Sequence, residues 1–421
     1  MSTMGSANQD FEHLVDAWVH KALLHGAETF DQLLIKLPGV YPSVVFESLK
    51  RLGVDRESLF RNPPTAEDRW QEQDLINPCP KINLPVPHPL DYDWRFSNVA
   101  IKRLLNTCLE FTDSGETVIL LGTPTLLRTS INENYPRRVA LFDASQTIIN
   151  SFSRSTPEAR AEQCDLLADP LPQIQAAAVI ADPPWYEEHL HGFIWAATQL
   201  CREGGYVIVS IPPVGTRPGV EQDRVALFDW AHELGLTLLR LEPSALPYTS
   251  PPFEVNALRA EGLSAVSTEW RAGDLALFSR DRPSDLPRPR LPIASEGPFV
   301  EEQVGTVRIR IRLRHLSGFC DPSLISVVLG DILPSVSRRD ERRRLIDVWT
   351  SGNRVFACHG TNVLQSILQS LANGQQPDER VAANLVRRLR TEERLLVSQA
   401  AKRIKDMIRI EEDENLSLRE S

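Results

Sequence analysis

Between residues 118 and 278 the chain repeats one pattern, a short apolar run followed by a stretch with apolar residues at helical spacing. The runs are Val118–Gly122, Val139–Asp143, Ala177–Asp182, Tyr206–Ile211, Leu236–Leu241 and Asp274–Phe278; the helical stretches include Val99–Leu109 and Arg224–Leu234. A strand that is apolar on both sides needs cover on both faces, and intervening helices supply it. The pattern predicts an α/β domain built on a parallel sheet. Such sheets bind ligands beyond the carboxyl ends of their strands, where strand order reverses, so the residues that end the runs are the informative ones.

Two proline-dense breaks isolate that domain. The first holds Pro63, Pro64, Pro78, Pro80, Pro85, Pro87 and Pro89. Proline fixes φ and removes an N–H donor, so neither helix nor central strand fits there. With 421 residues, too many for one ordinary domain, the chain divides into an N-terminal domain (1–60), a linker (61–94), the α/β domain (95–282), a second linker (283–300) and a C-terminal domain (301–421). The N-terminal part reads as three helices: one through Phe11–Leu23, one over Phe30–Leu37 stopped by Pro38 and Gly39, and one opening at Pro42. Two short helices around a tight turn resemble a winged helix-turn-helix. The outward candidates on the third helix, Ser43, Glu47, Ser48, Lys50 and Arg51, are weakly basic, so nucleic-acid contact and a plain packing or dimerisation role both stay open.

The net charge of -10 argues against a wholly basic nucleic-acid binder. The six cysteines stand singly, without a CxxC pair, which predicts reduced thiols and no zinc cluster. No apolar run approaches the roughly eighteen residues of a membrane span, and the N-terminus lacks a signal core. These features predict a cytoplasmic protein.

The run from Val179 ends in Asp182, Pro183, Pro184 and Trp185. An amino nitrogen conjugated to a ring is a poor nucleophile because its lone pair is delocalised. The Asp182 carboxylate and the Pro183 carbonyl can accept its two N–H groups, draw the nitrogen toward a tetrahedral shape and hold it in line with a reacting carbon. The paired prolines stiffen the turn, so both acceptors are placed before the substrate arrives. Trp185 offers a face for a planar base. The plain alternatives are a helix cap for Asp143, a surface acid for Asp165 and a core position for Trp185.

This turn follows a glycine-ended first strand and an acid-ended second, and Gly204 and Gly205 precede the next strand. The set resembles the class I, Rossmann-like amino-group methyltransferases, whose motif is (D/N/S)PP(Y/F/W); the Trp form is similar to the messenger-RNA-type adenine methyltransferases. The resemblance covers about residues 91–278. It implies S-adenosylmethionine as cofactor, the amino group of a nucleic-acid base as substrate, and no metal. It also implies cofactor contacts from Gly122 and Thr123 in the first loop, from Asp143 to the ribose hydroxyls and from Asp165 near the adenine amino group. Residues 91–97, rich in aromatics, would cover the methionine end. The first loop departs from the pattern: Gly122–Thr125 has one glycine and no acid, where most methyltransferases have an acid and two or three glycines. The layout is also similar to the branched-chain polyamine synthases, which join an N-terminal winged helix to a related domain with a reduced first loop and a DPP-type motif. They transfer an aminopropyl group. Their first loop is rich in acids, as a cationic substrate requires, and this chain's loop lacks them. Aminopropyl transfer is therefore the alternative, with a domain that binds without catalysing as a third reading.

In the C-terminal part, Val307–Arg314 alternates strictly, which on a strand puts Arg308, Arg310, Arg312 and Arg314 on one face. Arg338–Arg344 and Arg387, Arg388 and Arg390 are the other basic groups. Phosphate would cover such a face and makes nucleic acid a candidate partner; acids of the same chain would cover it equally well. A long helix is predicted over Asp378–Ile410, with Leu385, Leu389, Leu396, Ile404 and Ile408 on one side. That side fits a homo-oligomer or a protein partner.

Overall fold

The structure is a computed structural model and describes residues 2–54, 59, 82–152, 159–264, 266–290, 297–314 and 318–420. It forms two compact units. One comprises Met1–Pro85, Trp94–Ser250 and Ala265–Ile293; the other comprises Val86–Asp93, Pro251–Ser264 and Ala294–Ser421. This division differs from the boundaries drawn on the sequence. The N-terminal helices share a unit with the sheet, and two short segments from within the first two-thirds of the chain join the C-terminal residues.

In the first unit, α1 (Ser2–Leu24), α2 (Phe30–Lys36) and α3 (Pro42–Arg51) pack through Val15, Val19, Phe30, Leu33, Val45 and Leu49. The Thr29 hydroxyl caps α2 by accepting the Gln32 N–H at 3.2 Å, and Pro42 begins α3, where its missing N–H costs nothing. Between them, Gly39 takes φ +79, and a Cβ there would lie 2.9 Å from the Pro213 ring. The Gly215 N–H donates to the Pro38 carbonyl at 2.7 Å, so this turn is docked on the loop that follows Ile211. On α3, Ser48 is buried rather than outward, Lys50 pairs with Glu47, and Arg51 pairs with Asp16 at 2.8 Å. The basic groups of this helix are thus answered by acids of the same chain. Residues 55–58 and 60 of the domain drawn over 1–60, and 61–81 of the linker, lie outside the described residues.

The sheet of this unit has eight strands: β1 (Arg95–Phe96), β2 (Thr117–Leu121), β3 (Arg138–Asp143), β4 (Ala159–Gln163), β5 (Ala176–Ala181), β6 (Cys201–Ile211), β7 (Leu236–Thr249) and β8 (Ala272–Arg280), in the order β1-β7-β8-β6-β5-β2-β3-β4. The helices α4 (Asn98–Phe111), α5 (Pro124–Asn132), α6 (Gln146–Asn150), α7 (Glu187–Leu200) and α8 (Val220–Glu233) follow or precede the strands. Alternate residues of β2 face opposite sides. Ile119 and Leu121 pack with Leu190, Ile194 and Leu227, whereas Val118 and Leu120 pack with Leu104 and Leu126. The sheet is therefore covered on both faces, as the apolar runs require. It is mixed rather than parallel: β8 runs antiparallel to both β6 and β7, and β1 is antiparallel to β7. The link from β7 to β8 carries α9 (Pro252–Ala260), which belongs to the other unit.

The second unit holds a five-stranded antiparallel sheet of β9 (Phe299–Val304), β10 (Val307–Arg312), β11 (Ile325–Ser326), β12 (Val348–Thr350) and β13 (Val355–Ala357), in the order β11-β13-β12-β10-β9. Its further helices are α10 (Thr361–Ala372), α11 (Pro377–Leu385) and α12 (Thr391–Glu420). Val307, Ile309 and Ile311 face a core with Val363, Ile367, Val397, Ile404 and Ile408. The apolar side of the last helix is thus spent inside its own unit. The predicted single helix over 378–410 is two helices, broken where Val386 takes a left-handed φ of +55.

The arginines read as one face for phosphate, Arg308, Arg310, Arg312 and Arg314, have partners within the chain. Arg308 is 0 % exposed, and its Nη2 meets Asp91 at 2.6 Å and Glu301 at 2.7 Å while Nη1 donates to the Val86 carbonyl at 3.0 Å. Arg310 pairs with the same two acids. Arg312 donates to the Ile346 carbonyl at 3.0 Å and lies 4.9 Å over the Phe299 ring, and Arg314 reaches Asp347 at 2.5 Å. Acids of the same chain, one of them from the proline-rich segment read as a linker, occupy the place assigned to phosphate. The other clusters behave alike: Arg342 pairs with Asp340, Arg343 lies over Trp349, and Arg387 and Arg390 share Glu393.

Candidate active site

Strand order reverses at β2, whose neighbours are β3 on one side and β5 on the other, both parallel to it. The chain emerges from β2 at Gly122 and from β5 at Asp182. Gly122 takes φ +68, a conformation that L side chains rarely adopt. Its N–H donates to the Phe142 carbonyl at 3.0 Å, and the Asp182 N–H donates to the Leu121 carbonyl at 3.1 Å, so the first loop and the DPPW turn are tied side by side. A Cβ on Gly122 would lie 3.4 Å from the Asp182 carbonyl oxygen. The Thr123 hydroxyl at this strand end is buried with no hydrogen-bond partner among the described residues, and Pro124 opens α5 directly behind it.

Asp143 ends β3, and Asp165 follows β4, the next strand out. One Asp143 oxygen accepts the Ser145 N–H at 2.8 Å; the residue that caps α6 is Ser145, not Asp143. Asp165 accepts the Leu167 N–H at 2.9 Å in a similar turn. Both acids are half-buried, and the Cys164 N–H donates to the Asp143 carbonyl at 3.0 Å. Gly122, Asp143 and Asp165 therefore stand at the carboxyl ends of three adjacent strands.

In the turn itself Pro183 is buried, Asp182, Pro184 and Trp185 are half-buried, and the Tyr186 N–H closes the bend on the Pro184 carbonyl at 2.7 Å. Among the described residues no hydrogen bond is made to the Pro183 carbonyl. The Asp182 carboxylate receives the hydroxyl of Tyr248 at 2.5 Å. Tyr248 stacks on Phe96 with ring centroids 4.7 Å apart and meets Trp185 edge-on at 5.8 Å. It is also 2.6 Å from the Ser210 hydroxyl. Burial, and then the charge and hydrogen bond of Asp182, hold the Tyr248 phenol well above its ordinary pKa.

Tyr248 was not singled out from the sequence, because it belongs to the far end of a strand predicted to stop at Leu241. Strand β7 continues through an irregularity between Glu242 and Leu246, with Ser244 at φ +50. Asp274 holds that bulge by accepting the Ser244 N–H at 2.8 Å while pairing with Arg224 at 2.7 Å. Bulges re-aim side chains beside sites. Gly273, also missed, gives this cluster its room: a Cβ there would be 3.2 Å from Trp185 Cζ2 and would collide with the Ser210 hydroxyl. Arg271 lies over Trp94, Trp185 and Trp270 at 5.2, 5.6 and 4.7 Å. Of the aromatic segment 91–97, Trp94 and Phe96 reach this cluster, whereas Asp91 serves the arginines of the other unit.

No protein-family model matches the chain, and no curated protein sequence matches it. Among solved structures it is similar to the branched-chain polyamine synthase of Thermus thermophilus in complex with N4-aminopropylspermidine and 5'-methylthioadenosine, at 16% identity and a TM-score of 0.50 over 67% of this chain and 94% of that one. The C9 mutein of that enzyme gives 15% identity and a TM-score of 0.51 over 68% and 94%. A TehB-like SAM-dependent methyltransferase from Corynebacterium glutamicum gives 12% identity and a TM-score of 0.31 over 44% and 89%. The first two likenesses show the fold: the sheet-bearing unit is Rossmann-like, of the class I methyltransferase type. Among the described residues no cluster of His, Cys, Asp and Glu could hold a metal ion, and no helix is long and apolar enough to cross a membrane.

Proposed function

We propose that this chain transfers a methyl group from S-adenosylmethionine to an amino nitrogen held by the Asp182 carboxylate and the Pro183 carbonyl. The observation that carries the reading is the junction of the two loops at the reversal of strand order. There a glycine at positive φ is hydrogen-bonded beside a carboxylate and a carbonyl on a rigid turn. The residues fit a nucleoside there. Gly122 leaves backbone open to close approach, Thr123 has a hydroxyl awaiting a partner, and Asp143 and Asp165 stand at the next strand ends. Asp143 would take the ribose hydroxyls and Asp165 would lie toward the adenine amino group.

When bound, the cofactor supplies a carbon on a positively charged sulfur, an electrophile with a neutral leaving group. Asp182 and Pro183 take the two N–H groups, so the nitrogen lone pair faces that carbon as the N–C bond forms and the C–S bond breaks. Asp182 is also placed to take the proton that the methylated nitrogen sheds. The half-buried ring of Trp185, held against the buried Tyr248, favours a planar amine, and the amino group of a nucleic-acid base is the class it fits best. With the arginine strand internally paired, the reading rests on the turn and not on a basic surface.

The likeness to the polyamine synthases favours a second reading, aminopropyl transfer. Against it stand the acid-free loop Gly122–Thr125 and the guanidinium of Arg271 beside Trp185, since a polyamine substrate is itself multiply cationic. The test is a transfer assay pairing S-adenosylmethionine or its decarboxylated form with adenine-containing oligonucleotides, nucleotides or spermidine. Methyl transfer to an adenine amine, reduced at least about a hundredfold in Asp182→Ala, is the expected result. Transfer to spermidine alone would move the assignment to the second reading, and full turnover by Asp182→Ala would remove Asp182 from the chemistry.

A further inference from the structure

The Asp182 carboxylate can act as a fixed acceptor only if its plane is fixed, since a carboxylate on a half-buried turn rotates about its own side-chain bond. The neighbouring side chains supply the restraint. The Tyr248 hydroxyl donates to Asp182 Oδ1 at 2.5 Å, and the Ser210 hydroxyl lies 2.6 Å from the same phenol oxygen. Tyr248 is 2 % exposed, clamped by Phe96 and by the edge of Trp185, so its hydroxyl has one direction available. Three separate strands converge to build this: β6 brings Ser210, the bulged end of β7 brings Tyr248, and β8 brings Gly273, whose missing side chain admits the other two. Groups from three strands held in fixed positions around one carboxylate are what preorganisation requires.

We propose that Tyr248 is a positioning residue for transfer. By donating to Oδ1 it sets the plane of the Asp182 carboxylate and favours its ionised form, while Ser210 orients the phenol. Tyr248 keeps its proton throughout; the proton released by the methylated amine goes to Asp182 and then to water. The proposal rests on the transfer reading given above and adds to it a part that the DPPW motif does not contain.

Tyr248→Phe keeps the ring, its stack on Phe96 and its contact with Trp185, and removes only the hydroxyl. Loss of one charge-assisted donor predicts a fall in kcat of roughly ten- to a hundredfold, with cofactor affinity and thermal midpoint held. It also predicts that the acidic limb of the pH–rate profile moves to higher pH, because a carboxylate that loses a donor is protonated more easily. A merely structural role would leave that limb in place. Ser210→Ala should shift it in the same direction by less. The 13C titration of the Asp182 carboxyl, assigned by difference from Asp182→Asn, reads the same effect without turnover. If Tyr248→Phe leaves both the limb and this titration unmoved, the proposal is overturned even where wild-type transfer is intact. If the carboxyl titration moves but no amine is methylated by wild type, the hydrogen bond stands and the transfer reading fails.

Discussion

The carboxylate of Asp182 and the guanidinium of Arg308 were both prominent in the sequence, one at the end of an apolar run and the other in a strict alternation. Their surroundings differ. Asp182 is half-buried where two loops meet, with one oxygen fixed by a side chain whose own position is clamped and with an adjacent carbonyl that accepts no hydrogen bond among the described residues. Arg308 is enclosed, with both of its neighbours in charge, Asp91 and Glu301, shared with Arg310. The first arrangement leaves the Pro183 carbonyl without a hydrogen bond among the described residues; the second uses its capacity to close a fold. A motif is informative about function when its spacing dictates an unsatisfied geometry, whereas a charge pattern says nothing about where its counter-charges come from.

The sharpest way to break that comparison is Arg308→Ala. It would take one of the two guanidiniums from Asp91 and Glu301 and leave Arg310 to hold both in a largely buried place, so the second unit should lose up to about 3–5 kcal/mol of stability, measured by urea unfolding. Affinity for DNA or RNA and its salt dependence should not change; a lower salt slope would restore the phosphate reading. Gly273→Ala should have a smaller effect, about 1–3 kcal/mol of overpacking, but a large fall in transfer, since the displaced groups are Ser210 and Trp185. A variant with unchanged turnover would detach this cluster from the site. The pH response is the mildest probe. Burial opposes the Glu301 carboxylate, yet the hydrogen bond and charge of Arg308, with the charge of Arg310, outweigh it and hold its pKa below the ordinary 4.5. A group held low in the folded state stabilises above its unfolded value, and that contribution is lost as pH falls through the folded value. The urea midpoint of the second unit should thus decline below about pH 4.5, and Arg308→Ala should blunt the decline.

Much of the first unit was legible. The six apolar runs all became strands, because strands covered on both faces leave little choice of residue, and the ends of β2, β3 and β5 fell within a residue of expectation. The edge strand β4 was not read: Ala159–Gln163 alternates small and polar residues and has a single neighbour in the sheet. The antiparallel direction of β8 was not read either, since its apolar run is the same whichever way the strand points. The bulge that delivers Tyr248 was hidden because Pro243 and Pro247 made the segment look like the end of a strand. Asp91 was hidden more thoroughly: it lies 217 residues from Arg308, in a proline-rich stretch where it ends a single 3-10 turn, Pro89–Asp91, and its carboxylate is available to an arginine. In the second unit, the break at Val386 came from a left-handed residue with no glycine to announce it.

The proposed transfer requires a sulfonium nucleoside bound at the ends of β2 and β5, beside Asp182. Calorimetry with S-adenosylmethionine on wild type, Asp182→Ala and Gly122→Val tests it most directly, since a branched side chain at a φ of +68 obstructs the loop without touching the carboxylate. Equal binding by wild type and Asp182→Ala, with loss in Gly122→Val, is the predicted outcome. No heat from wild type, or binding that survives in Gly122→Val, would contradict the account.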